Sequence, residues 1–144
     1  SFDFKELGAH YCGGYNMEPV DMKKSEYFFN ISIDKIQENS DLFEITRHIS
    51  KDLKDKKWAK ELCKIQLDSK KGFNRVDSYG LVNLANLVNV NLNDRDFAKQ
   101  IFSRALEVSN NENDLVDYIL GEIENEWGYN DKVLAAEFRK KYKK

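Results

Sequence analysis

The chain has 144 residues, 33% of them charged, and a formal net charge of -2. That length suits one ordinary domain with a real core, and the near balance of signs leaves no strong field to hold phosphate backbones, which argues against nucleic acid. No apolar run approaches the roughly 20 residues of a membrane-spanning helix, and the opening Ser1-Phe2-Asp3-Phe4-Lys5-Glu6 has acids where a secretory signal carries bases, so no membrane partner is expected.

Residues 1–40 read as an N-terminal cap. Pro19, Gly8, Gly13 and Gly14 interrupt the first twenty residues, whose aromatics Phe2, Phe4, Tyr11 and Tyr15 would be costly to leave in water, so an irregular covering segment is predicted. Residues 26–36 fit a helix burying Phe29, Ile33 and Ile36, or a strand burying Phe29, Ile31 and Ile33; the helical spacing downstream favours the helix. From residue 41 to 144 the spacing predicts three helical hairpins within one domain.

The first hairpin aligns Leu42, Ile45, Ile49 and Leu53, then Trp58, Ala59, Leu62 and Ile65. The second aligns Leu81, Leu84, Ala85, Val88 and Leu92, with Leu87 and Val90 as a second apolar face, then Phe97, Ala98, Ile101, Phe102, Ala105 and Leu106. The third aligns Leu115, Tyr118, Ile119, Ile123 and Trp127, then Leu134, Ala135, Phe138 and Tyr142. Helix starts are expected at Asp41 with Glu44, at Asp77, and at Asn113 or Asp114, and stops at Gly72 and Asn110-Asn111.

One phrase is written three times: Asp55-Lys56-Lys57-Trp58-Ala59, Asp94-Arg95-Asp96-Phe97-Ala98 and Asp131-Lys132-Val133-Leu134-Ala135. An Asp three residues before a bulky apolar residue caps the amides of a helix N-terminus and meets its positive dipole end. The following Ala lets two helix backbones approach, while the larger neighbour fills the adjoining groove. The same alignment sets Cys63, Phe102 and Arg139 at equivalent positions, so the last copy carries a charge where a terminal repeat has nothing further to cover it. The tail from Arg139 to Lys144 reads as its solubilising end.

Residues 81–109 resemble a tetratricopeptide repeat, through Ala98, Phe102 and Ala105 at the family's second-helix spacing and Asn93-Asp94 in place of its usual Gly-Asp turn. The chain departs from the pattern with Asn86 in place of Gly, Asn89 in place of Tyr, no closing Pro, and a spacing between copies above 34 residues. The resemblance extends loosely over residues 41–142. It implies an all-α fold: a short right-handed stack of about three antiparallel helical hairpins behind the N-terminal cap.

Candidate chemistry is sparse. His10-Tyr11-Cys12-Gly13-Gly14 could place a thiol beside backbone amides, the pattern of a hydrolase or transferase, but a loop cysteine explains it more simply. Cys12 and Cys63 form no disulfide framework, and with His10 and His48 they lack metal-ligand spacing, so no metal and no cofactor is expected. Lys57, Lys60 and Lys64 share a helix face that could serve an RNA-binding repeat, although no stacking aromatics accompany them. Asn30-Ile31-Ser32 matches a glycosylation sequon, for which no secretion signal gives support.

By the geometry that the resemblance implies, the first helix of each hairpin lines a groove. Its outward positions are Asp41, Glu44, His48 and Lys51, then Asn83, Leu87, Val90 and Asn91, then Asp117, Leu120 and Glu124. Acidic ends around an apolar centre suit a protein partner, such as a basic one, with Leu87 and Val90 as anchors unless both simply pack on a neighbouring helix. The expected function is a non-catalytic protein-binding module in a bacterial cytoplasm, most sharply an immunity protein that masks a toxin, otherwise a small repeat adaptor. The absence of an initiating Met leaves open a leader removed before Ser1, and the oligomeric state is open.

Overall fold

A computed structural model describes residues 4–11, 21–35, 39–68 and 77–143, and contains no strand among them. The helices are α1 (Phe4–Tyr11), α2 (Met22–Lys35), α3 (Asn39–Lys51), α4 (Lys56–Leu67), α5 (Ser78–Leu87), α6 (Arg95–Val108), α7 (Asn113–Glu124) and α8 (Lys132–Tyr142); a π-helical turn, Val88–Leu92, follows α5. The chain gathers into two compact units, Ser1–Arg75 and Val76–Lys144. Gly72, expected to end a helix, lies outside the described residues, as do Cys12, Phe2, Tyr15 and Ile36.

In the first unit α1 packs on α2 and α3, and α3 packs on α4. The segment from Phe4 to Tyr11, expected to be irregular, is helical. Gly8 acts there as a contact residue rather than as a breaker. A Cβ added to it would lie 2.6 Å from the Phe29 ring, so only glycine allows α1 to rest on that fully buried side chain. Ser25, also buried, donates its hydroxyl to the Gly8 carbonyl at 2.6 Å. Residues 26–35 are helical with Phe29 inward, as the favoured reading has it, while Ile33, expected to be buried with it, is half-buried.

The α3/α4 hairpin buries Leu42, Ile45, Ile49, Ala59, Leu62 and Cys63. Leu53 falls beyond the end of α3 and is half-buried, as are Trp58 and Ile65. A polar link crosses this core: Gln66 Nε2 donates to Thr46 Oγ1 at 3.0 Å, and Thr46 donates to the Leu42 carbonyl at 2.6 Å. Asp41 is not a cap. The helix begins at Asn39, and Asp41 receives Lys5 Nζ of α1 at 2.6 Å.

In the second unit α5 packs on α6, α7 on α8, and α7 on both α5 and α6. Every residue expected on the inner face of α6 is buried, as are Leu81, Leu84, Ala85, Val88 and Leu92. Full burial of one such Leu, Ile or Phe side chain contributes about 1.5–3 kcal/mol. The π-helical turn separates the proposed second apolar face of α5: its wider i→i+5 bonding keeps Val88 and Leu92 inside and turns Val90 outward, 67% exposed, while Leu87 is buried.

The third hairpin corrects one helix register. α7 buries Val116, Ile119, Leu120 and Ile123, so Tyr118 lies at the surface and Trp127, beyond the helix end, is 90% exposed. Both readings place Ile119 and Ile123 inside; a face including Val116 and Leu120 is narrower than one reaching for both aromatics. Nor is α7 capped by Asn113 or Asp114. Glu112 occupies the cap position without a side-chain bond, after Asn110 and Asn111, which end α6 with positive φ as expected.

The thrice-written phrase has one geometry. Asp55, Asp94 and Asp131 accept the N–H of Trp58, Phe97 and Leu134 at 3.0, 3.0 and 2.8 Å. Their own N–H groups donate back to the preceding helix, to the carbonyls of Ile49, Val88 and Ile123 at 3.1, 3.4 and 2.9 Å, and their carbonyls accept from Ala59, Ala98 and Ala135. Each Asp follows a residue of left-handed backbone, Lys54, Asn93 or Asn130. The three alanines are fully buried.

Two substitutions test these contacts. Gly8→Ala should destabilise the chain by about 1–3 kcal/mol, through overpacking on Phe29, in a denaturant titration. Asp94→Ala should cost about 1–2 kcal/mol in the same measurement, whereas Asp114→Ala, at an exposed site, should stay within about 0.5 kcal/mol.

Candidate functional site

The outward face of the second unit is built by α5 and α7. Two contacts join them, Tyr79 to Tyr118 with ring centroids 5.0 Å apart and Asn86 Nδ2 to Glu122 Oε2 at 3.0 Å, and a third, Asn89 Nδ2 to the Gly128 carbonyl at 3.5 Å, joins the π-helical turn after α5 to the loop after α7. Residue numbers rise together across these rungs, so the two helices run parallel. Asn86 and Asn89, the departures from the tetratricopeptide pattern, therefore tie one hairpin to the next.

Between the rungs the surface is open. Tyr79 is 53% exposed and Tyr118 37%, although large aromatics usually bury most of their area. Asn83 lies beside Tyr79 at helical spacing and is exposed; Asp114, Tyr118 and Glu122 follow one stripe of α7. Partial burial raises the Tyr118 phenol above its ordinary pKa, with smaller contributions from the Glu122 carboxylate and from Tyr79. Gly121 sits within this stripe, and a Cβ placed there would meet nothing within 4 Å.

A second set of contacts fixes the hairpin ends. Arg95 Nη1 donates to the Tyr129 carbonyl at 2.7 Å, and Tyr129 Oη donates to the Arg95 carbonyl at 3.1 Å. The guanidinium lies 4.1 Å from the Tyr129 ring centroid, and the other ring contact of this buried tyrosine is edge-on to Phe102 at 5.3 Å. The loop between α7 and α8 is thereby pinned to the start of α6.

The residues expected to line a groove are scattered among several environments. Asp41 is held by Lys5, and Glu44 by Arg47 at 2.9 Å. His48 is buried: its Nδ1 lies 2.6 Å from Asp52 Oδ2, and its ring stacks on Phe29. Leu87 is core, which removes it as an anchor, while Val90, the other expected anchor, is exposed; Leu120, expected at an outward position, is core, and Asn91 is half-buried. Asp117 binds Lys143 at 2.7 Å and Glu124 binds Arg139 at 2.6 Å, so this i, i+7 pair faces α8 instead of α5. Of the expected set, Asn83 lies on the α5–α7 face, Val90 is exposed on the π-helical turn that continues α5, and Lys51 is exposed at the end of α3; Tyr79, Asn86, Tyr118, Gly121 and Glu122 escape the sequence reading. The inward phase Val116, Ile119, Leu120, Ile123 is the signal that would have found the last three.

Cys63 is buried, and desolvation pushes its thiol up to about 12. A thiol so protonated is a poor nucleophile. Lys57 and Lys64 are exposed and Lys60 half-buried on α4. Among the described residues no three His, Cys, Asp or Glu side chains are grouped to hold a metal ion, and no helix is long and apolar enough to cross a membrane. Comparison with family models, curated proteins and solved structures finds no match for this chain.

The thiol offers a measurement. Native chain at pH 8 should leave Cys63 unlabelled by a thiol reagent that labels it fully after unfolding. Because its folded pKa lies above the ordinary value near 9, its contribution to stability is complete below pH 9 and is lost as pH rises towards about 12. A falling denaturation midpoint across that window, reduced in Cys63→Ala, is the expected result.

Proposed function

We propose that the chain is a non-catalytic protein-binding module of tetratricopeptide-like hairpins, with the α5–α7 face as its binding surface. The observation that carries this reading is the exposed Tyr79–Tyr118 pair, which bridges two parallel helices with an amide and a carboxylate on the same face. Tyrosine gives large contact area at low entropic cost and is enriched among residues that dominate binding energy. The rungs beneath the pair hold both helices in place, so little ordering is needed when a partner arrives. Its sharpest form is an inhibitor of the bacterial immunity type, with acidic groups beside the aromatic pair meeting a basic toxin.

The test uses a photo-crosslinking side chain introduced into the full chain in its native host. Placed at Asn83, it should capture a discrete protein; placed at Lys99 on α6, it should not. Equal capture from both positions, or none from Asn83, would overturn the assignment. Tyr79→Ala with Tyr118→Ala should weaken the captured complex by at least about 2 kcal/mol, while lowering stability by about 1 kcal/mol at most.

A further inference from the structure

The α5–α7 face has an unusual charge distribution. Ser78–Leu87 and Val88–Leu92 contain no charged residue, and Asn113–Glu124 contains Asp114, Asp117, Glu122 and Glu124 without a Lys or Arg. Asp117 and Glu124 are bonded to cations of the α8 segment. Asp114 and Glu122 instead flank Tyr118 at i-4 and i+4, and Glu122 receives the neutral amide of Asn86. Glu122 also lies in the last turn of α7, where the helix dipole disfavours a carboxylate. The faces of two exposed tyrosine rings add further negative potential.

Gly121 is the second, independent feature. A glycine inside a helix costs about 1 kcal/mol relative to alanine, and here no neighbouring atom occupies the place of its Cβ. Gly8 has a partner within its own chain that requires glycine; Gly121 has none within 4 Å. At this exposed position, three residues on from Tyr118, the missing side chain lets an approaching backbone come closer than a residue with a Cβ would.

We infer that the occupant of the α5–α7 face is a basic protein segment, which lays an arginine or lysine over the Tyr79–Tyr118 pair, sets its cationic head against Glu122, and passes its backbone over Gly121. The inference rests on the proposed function and adds the chemistry of the partner. Acidic charge with no basic residue on α5, the π-helical turn or α7 selects against acidic segments, the aromatic pair takes the apolar stem and the cation together, and Gly121 admits the backbone.

The experiment is a nuclear magnetic resonance titration of the full chain with three capped peptides, Arg-Ala, Lys-Ala and Glu-Ala repeats of equal length. The two cationic peptides should shift amides of residues 79–90 and 114–122 and bind at least about tenfold more tightly than the Glu peptide. Glu122→Gln should weaken that binding about fivefold and reduce its salt dependence. Gly121→Ala should raise the thermal midpoint by a few degrees and still weaken cationic peptide binding about tenfold, a split that a purely structural glycine would not give. Equal binding of all three peptides, shifts centred elsewhere, or unchanged binding by Gly121→Ala would each overturn the inference. A host protein captured from Asn83 through a neutral or acidic segment would overturn it while leaving the binding face standing; failure of that capture would remove both.

Discussion

The construction on which the rest depends is the aspartate at each hairpin junction. A helix end leaves backbone groups without intrahelical partners, and two helices joined by a short turn present that problem twice. Asp55, Asp94 and Asp131 each answer it with one residue: the N–H closes the preceding helix, the carboxylate caps the next, and the carbonyl accepts its first i→i-4 bond. The left-handed residue before each Asp supplies the change of direction. The junction thereby fixes not only where the second helix starts but also its rotation, which sends Ala59, Ala98 and Ala135 into the crossing.

The α5–α7 face inherits that geometry. Asp94 sets the start of α6, and Arg95, next in the chain, clamps Tyr129 in the following hairpin. Tyr129 in turn lies against Phe102, the large residue that α6 buries completely. With the loop after α7 pinned there, and Asn86 holding Glu122, α7 has little freedom to rotate against α5. Tyr79 and Tyr118 then meet because the backbones beneath them are fixed, not because the ring contact itself is strong.

Much of the scaffold is legible in the sequence because the three Asp-bulky-Ala junctions and the α6 stripe are local and redundant: spacing, capping chemistry and small-residue placement all agree. The face is less legible, for a definite reason. In α7 the apolar residues permit two phases that share Ile119 and Ile123, and aromatic weight favours the phase that contains Tyr118 and Trp127. Close packing favours the other, with Val116 and Leu120, which are fully buried. One choice of phase decides whether Tyr118 is core or surface and whether Leu120 or Glu122 faces a partner. The π-helical turn has the same effect on α5, since a regular helical count gives no reason to separate Leu87 from Val90. His48 shows a different limit: a polar residue at an apparently outward position is buried because a carboxylate four residues on and an aromatic ring from α2 both satisfy it.

Two of the three glycines in the described helices, Gly8 and Gly121, show how the fold and the proposed binding surface can be separated. Glycine inside a helix gives up stability relative to alanine, and a contact that only glycine permits offsets that loss. For Gly8 that contact is internal and visible: Phe29 fills the space, and Ser25 bonds the adjoining carbonyl. For Gly121 no atom beyond its chain neighbours and its own helix backbone comes within 4 Å of that space, and the residue is exposed on the face that carries the Tyr118 ring. If the compensation lies outside the chain, stability and binding must respond to Gly121→Ala in opposite directions, which no rearrangement of the scaffold alone would produce. The same logic applies to charge: α8 supplies cations to Asp117 and Glu124 but not to the Glu122 stripe, where the bonded group is neutral. A basic residue on α5 would give the Glu122 stripe a cation from within the chain, and its absence is the feature on which the proposed basic partner rests.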